Sequence, residues 1–268
     1  MNLIKRTLTA AVLLGSLFVL IQYAPRWAFF FVGLFFVGAA LLEFYNLNAK
    51  HGLRPQKVLG EILALLVLLT FYFRSVPIEA PLFAAILVAA IYYVAMVRTA
   101  EKLAAFPASF AVTLTGVLYV AFPLGFIFLI RQDKGPYFLY FLAAIVFIGD
   151  SGAFFIGKPF GRHKMTPIAS PNKSWEGSAG GFLFAAMGAI LARFILMPGL
   201  PLLTAVLTAL VVDAAAQTSD PLESLFKRAV GVKDSSNALP GHGGFFDRID
   251  SLILAAPAFY YIVRYLWK

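Results

Sequence analysis

The sequence predicts an all-α integral membrane protein of about nine transmembrane helices, with a polar active site in its C-terminal half. Three observations predict it. Of 268 residues, 61% are hydrophobic and only 13% are charged, against roughly half and a quarter in a soluble domain. The apolar residues fall into runs near the roughly 20 needed to cross a hydrocarbon core. Eight of the thirteen acidic residues gather in two polar stretches, 150–177 and 213–250.

The first run, 7–24, follows Lys5 and Arg6 and resembles a signal peptide. It ends in Gln22, Tyr23, Ala24 and Pro25 without a small-x-small cleavage site, and more apolar runs follow at once, so it reads as an uncleaved first helix. Runs at 27–47, 57–74 and 80–98 come next. The run 106–130 holds Pro123 and is expected to be broken there. Runs at 136–157, 177–197, 200–220 and 250–267 complete the set, with no internal repeat. The expected division is a scaffold, 1–135, and a catalytic region, 136–268, with cytoplasmic loops 158–176 and 221–249.

Orientation follows from the basic residues. With a cytoplasmic N-terminus, nine spans put 15 of the 22 Lys and Arg residues inside and 6 outside. The six are Arg26, Arg74, Arg131, Lys134, Arg264 and Lys268, and Arg193 falls within a span. Both polar stretches then face the cytoplasm, where nucleoside triphosphates are found. The net charge of +9 reads as basic loops beside anionic headgroups and not as a nucleic-acid surface. With no cysteine, thiolate metal sites and cysteine nucleophiles are excluded.

Asp213, Gln217, Asp220, Ser224 and Lys227 are spaced 4, 3, 4, 3 and share one stripe of a helix. A carboxylate near the bilayer centre costs roughly 2.5–3.5 kcal/mol, so Asp213 needs a partner or a wet cavity. Pro221 follows Asp220 and is expected to kink or break the helix beside the polar site. Glu223 lies within helical reach of Asp220, and paired carboxylates suit Mg²⁺. From Ser224 onward, Lys227, Arg228, Lys233 and Arg248 are cations fit for phosphate oxygens. Gly241, Gly243 and Gly244 flank His242 and let backbone amides approach a ligand. Asp247 and Asp250 return carboxylates to the same segment.

This segment resembles the phosphatidate cytidylyltransferase family. That family's pattern is Ser-x-hydrophobic-Lys-Arg, four residues, Lys-Asp, then Pro-x-His-Gly-Gly-x-x-Asp-Arg-x-Asp. Every fixed position is met between Ser224 and Asp250. The earlier stretch is similar to the family as well. It reads Asp150-Ser151-Gly152, then Ser170-Pro171-Asn172-Lys173-Ser174-Trp175-Glu176-Gly177.

The resemblance implies transfer of CMP from CTP to phosphatidate, giving CDP-diacylglycerol and pyrophosphate. It implies Asp220, Glu223 and Asp247 as Mg²⁺ ligands, Asp250 as a further ligand, and room for a second cation. Lys227, Arg228, Lys233 and Arg248 would meet CTP or lipid phosphate, and with Asp220 and Asp247 they form the expected catalytic set. Asp150, Ser170, Lys173, Ser224, Asp234, His242, Gly243 and Gly244 would complete the nucleotide side. Asp234 has the alternative role of orienting Lys233, and His242 that of shaping a turn. The family also implies a homodimer, and the expected location is a bacterial inner membrane. A CTP-using polyprenol or phytol kinase, a CDP-archaeol synthase and a transporter are the competing readings. A transporter would show paired broken spans, which this sequence lacks.

Overall fold

The computed structural model describes residues 15–239 and 243–267. Nine helical rods run through those residues. They are α1 (described over 15–23), α2 (Arg26–Lys50), α3 (Lys57–Phe73), α4 (Glu79–Met96), a composite fifth rod, α7 (Pro136–Phe160), α8 (Trp175–Leu196), α9 (Leu202–Ala229) and α10 (Phe246–Leu266). The fifth joins α5 (Ala100–Thr115), a π-helical turn (Gly116–Ala121) and α6 (Phe122–Asp133). Seven rods are long and apolar enough to cross a membrane, and the chain is an integral membrane protein. Of the other two, α3 has 17 residues, and part of the expected first span, 7–14, lies outside the described residues.

Proline and glycine set several boundaries. Pro25 and Pro201 precede α2 and α9, and Pro136 opens α7, where a fixed φ and a missing donor cost nothing. Gly135 turns the chain between α6 and α7 at φ +92°, a region that favours glycine. Ser174 starts α8 by accepting the Gly177 N–H at 3.1 Å.

Pro123 does not break the fifth rod. It opens α6 directly after the π turn, where the altered bonding pattern accommodates its missing N–H. Pro221 does not break α9 either, since the helix runs through it to Ala229. Contacts on both sides hold it: Ser219 Oγ donates to the Asp250 carbonyl, and Lys227 Nζ donates to Asp247 Oδ1 at 2.7 Å. The expected loop 221–249 therefore shrinks to 230–245. At 1.5 Å per residue, the 28 residues of α9 span about 42 Å against a core of about 30 Å. The helix is longer than the slab is thick, and its last turns carry Asp220 to Arg228.

The other expected loop, 158–176, is partly ordered, a departure from the all-α plan. Strands β1 (Lys164–Thr166) and β2 (Ser170–Ser174) pair antiparallel. Arg193, expected within a span, lies in the last turn of α8, where its Nε donates to the Leu200 carbonyl at 2.5 Å.

Candidate active site

The predicted stripe of α9 is present, buried at Asp213, Ser224 and Lys227 and half-buried at Gln217 and Asp220. Asp213 is fully buried, and its Oδ2 accepts the Gln217 amide at 2.6 Å. Gln217 continues to α8, accepting the Ser178 hydroxyl at 2.5 Å and donating to the Ser178 carbonyl at 3.2 Å. Asp213 thus has a partner, as its depth demands. A Cβ on Gly149 of α7 would stand 2.4 Å from Asp213 Oδ1, so the carboxylate occupies room that glycine leaves.

One turn on, Asp220 meets Lys173 of β2 at 2.7 Å. The pair lines a cavity of about 310 Å³ together with Asp150, Asn172, Ser178 and Gln217. Two sequence segments are therefore drawn to one place. The hairpin achieves this by projecting from between α7 and α8. Glu176 fastens its base, accepting the backbone N–H groups of Arg162 and His163 at 3.1 and 3.2 Å and pairing with His163 Nδ1 at 2.5 Å. Asp150 accepts the Ser251 hydroxyl at 3.3 Å, and Asp150 and Asp250 both lie within electrostatic reach of Asp220.

Beyond it lies a second cluster. Lys227 Nζ stands 2.5 Å from Glu223 Oε2 and 2.7 Å from Asp247 Oδ1. The first contact is charge proximity without hydrogen-bond alignment, and Glu223 Oε1 has no partner among the described residues. Asp247 Oδ2 accepts the Ser235 N–H at 2.8 Å, the Ser235 hydroxyl at 2.7 Å and the Gly244 N–H at 2.8 Å. Its carboxylate ties α9, the loop and the start of α10 together.

The sequence reading missed Glu43. It belongs to α2, in the expected scaffold, yet it accepts the Ser235 hydroxyl at 2.9 Å, the Ser236 hydroxyl at 2.6 Å and the Phe246 N–H at 2.8 Å. Gly244 lies against the same group: a Cβ there would fall 2.1 Å from Ser235 Oγ and 2.4 Å from Glu43 Oε2. A buried carboxylate in an apolar run was the available signal, because such a group needs donors.

The remaining predicted residues divide. Ser224 is buried on α9, while Lys233, Asp234 and Arg248 are exposed around the loop. Arg228 is committed to protein: Nε donates to Ala169 O at 3.2 Å and Nη1 to Val232 O at 2.7 Å. Ser170 pairs with Thr166 in the hairpin. Gly243 adopts φ +78° beside Asp247. His242 lies outside the described residues.

Among the described residues no three Asp, Glu or His side chains gather closely enough to hold a metal ion. The expected carboxylates are split, with Lys173 on Asp220 and Lys227 between Glu223 and Asp247. The donor chemistry nevertheless fits Mg²⁺. All are hard oxygens, Glu223 Oε1 is buried and unpaired, and Mg²⁺ on a polyphosphate needs only one or two carboxylates beside phosphate and water.

Residues 4–266 match the model of a family described as the cytidylyltransferase family. A phosphatidate cytidylyltransferase of Bacillus subtilis is 36% identical over 132 residues, 49% of each chain. One of Haemophilus influenzae is 40% identical over 131 residues, 47% of this chain and 46% of that one. One of Staphylococcus haemolyticus is 37% identical over 147 residues, 55% of this chain and 56% of that one. The chain thus spans about half the length of the curated relatives it matches.

Proposed function

The chain belongs to the cytidylyltransferase family, and from that premise we propose that it is a phosphatidate cytidylyltransferase, making CDP-diacylglycerol and pyrophosphate from CTP and phosphatidate. The observation that carries the reading is the meeting of the hairpin with the last turns of α9, where Lys173 reaches Asp220 at 2.7 Å and Arg228 Nε donates to the Ala169 carbonyl at 3.2 Å. Cations and carboxylates interleaved beside a cavity suit a polyphosphate better than either charge alone.

A phosphatidate oxygen attacks the α-phosphorus of CTP, and the bond to the β-phosphate breaks as pyrophosphate leaves. The nucleophile is already anionic near neutral pH, so no strong base is needed. The barrier is the approach of two anions, and charge neutralisation with in-line positioning lowers it. Lys173 exchanges Asp220 for a nucleotide phosphate. Lys233 and Arg248, which hold no ion pair with a described residue, meet the incoming phosphates. Lys227 and Arg228 keep the end of α9 and the loop in shape for them. Asp150, Ser170, Ser224, Asp234, Gly243 and Gly244 line the nucleotide side. Asp220, Glu223, Asp247 and Asp250 would supply oxygens for Mg²⁺, which would offset triphosphate charge. A second cation is compatible with the carboxylate count.

All nine rods cross the membrane in this reading, with residues 1–135 as scaffold and 136–268 as the catalytic region. The basic-residue balance supports a cytoplasmic active site in a bacterial inner membrane. The family resemblance supports a homodimer.

The test uses the full chain in detergent with CTP labelled at the α- or γ-phosphate. Label enters the lipid product from the α position only. Label entering from γ would identify a lipid kinase instead. Asp220→Asn lowers CDP-diacylglycerol formation by about a hundredfold or more, since a metal contact is worth several kcal/mol in the transition state. Parental activity in that variant removes Asp220 from the reaction.

A further inference from the structure

One sizeable cavity lies away from the proposed catalytic loop. It measures about 470 Å³ and lies between the C-terminal ends of α3, α6 and α10. Arg264, on its wall, follows Asp250 by 14 positions of one helix, about 21 Å. The cavity therefore opens at the end of the molecule away from the chemistry.

Its lining is amphiphilic. Arg74, Arg264, Tyr260, Tyr261 and Tyr265 line it together with the apolar Val76 and Ile78. A second cavity, of about 270 Å³, shares Arg74 and adds Arg26 and Arg131. Four of the six cations that the sequence assigns to this end are thus concentrated in one region. Two carboxylates oppose them, Asp133 and Glu79. Asp133 is taken by both guanidinium nitrogens of Arg74 and by the Tyr260 hydroxyl at 3.2 Å. Glu79 is an exposed residue in the first turn of α4, with no ion pair to a described residue.

Arg264 has no carboxylate partner among the described residues. It donates to the Tyr260 hydroxyl at 3.1 Å and lies 5.9 and 5.6 Å from the Tyr260 and Tyr265 ring centroids. Arg26 lies over the Tyr72 ring at 4.5 Å, and Arg131 donates to the Ile21 carbonyl at 2.6 Å. Arg74 is held at φ +57°, the one positive φ outside glycine among the described residues. A bulky residue kept in the left-handed region needs surroundings that over-determine it. Interfacial anchors would be spread around the perimeter; these line two cavities that share Arg74.

We propose that this cavity seats the phosphate of an anionic membrane phospholipid at the end of the helices opposite the catalytic loop. Arg264 and the hydroxyls of Tyr261 and Tyr265 donate to the phosphate, a charge-assisted arrangement that guanidinium favours over ammonium. One acyl chain lies along Val76 and Ile78. The surplus of positive charge selects an anionic headgroup over a zwitterionic one. The site is separate from the one that binds substrate in the reading above.

Two measurements on the full chain in detergent test this. First, dioleoyl-phosphatidylglycerol bearing a diazirine is irradiated with the unmodified protein and the adduct is mapped by proteolysis. Label on the last two turns of α10 is expected, reduced by competing phosphatidylglycerol and not by phosphatidylcholine or excess inorganic phosphate. Label confined to 224–250, or equal competition by phosphatidylcholine, overturns the proposal. Displacement by inorganic phosphate makes the site one for a free anion and overturns it too. Second, native mass spectrometry compares the parent with Arg264→Gln. Loss of one charge-assisted contact lowers phosphatidylglycerol retention about tenfold, with Arg264→Lys in between. Undiminished retention in a folded Arg264→Gln overturns it. CTP turnover in that variant stays at the parental level, so this result and the fate of the cytidylyltransferase reading are read separately.

Discussion

Where α2, α3 and α6 meet, rings fill the space between helices; where α7 meets α8, there is hardly space to fill. In the first region Phe44, Tyr45, Phe71, Phe126 and Phe128 are almost fully buried. Tyr45 occupies a socket between Gly60 and Gly116, where a Cβ would fall 2.1 and 2.5 Å from its side chain. Its hydroxyl donates to the Thr113 carbonyl at 2.8 Å. In the second region the backbones themselves touch. A Cβ on Gly177 would stand 3.0 Å from the Gly157 Cα and 3.0 Å from the Ala153 carbonyl oxygen. Lipid gives helices little hydrophobic reason to associate, so close contact through small residues is one of the few available devices. The difference follows from position. Rings tolerate adjustment and suit a frame, whereas the helices that flank the cavity of Lys173 and Asp220 hold a spacing with no slack.

The sharpest way to break this contrast is to strike the charges at the end of α9. Lys227→Met leaves Glu223 and Asp247 buried without their shared cation. Uncompensated buried charge costs roughly 3–5 kcal/mol. A fall in unfolding midpoint by thermal denaturation in detergent, together with loss of CDP-diacylglycerol synthesis, is expected. Stability close to the parent would mean that the cluster is less dehydrated than its geometry indicates.

Gly177→Leu comes next. It forces α7 and α8 apart at their closest approach, and overpacking of this kind costs about 1–3 kcal/mol. Because Gly177 and Ser178 line the cavity that holds Lys173 and Asp220, the KM for CTP rises along with the loss of stability. An unchanged KM would uncouple the helix spacing from the site.

Tyr45→Phe is the gentlest. It removes one hydroxyl and leaves the ring in its socket, at about 1 kcal/mol for the lost hydrogen bond. Turnover is expected to match the parent's while the unfolding midpoint falls slightly. A turnover defect would show that the aromatic region is no passive frame.

The rods were legible because a hydrocarbon core imposes a length on every span, and length survives in the sequence as runs of apolar residues. The stripe on α9 was legible because helical period is local. Pro123 and Pro221 misled for the same reason. Each is unfavourable in an isolated helix, but a π turn accommodates one, and contacts from Ser219 and Lys227 to α10 hold the other. The hairpin at 164–174 was hidden by Pro167 and Pro171, which discourage strand assignment. Lys227 was expected to bind phosphate, since its type and spacing fit. Glu223 lies one helical turn before Lys227, a spacing the sequence shows, but no pattern reveals that Asp247 closes the other side. The pairing of Lys173 with Asp220 joins residues 47 positions apart, beyond the reach of any periodicity.

Glu43 has a consequence for biogenesis. It belongs to α2, and its partner Phe246 is 203 positions later. Ribosomes deliver a chain in sequence order, so this carboxylate must wait within an incomplete bundle until α10 begins to emerge. Its contacts with Ser235, Ser236 and Phe246 close only then. A chain released before α10 thus leaves a buried carboxylate short of its donors.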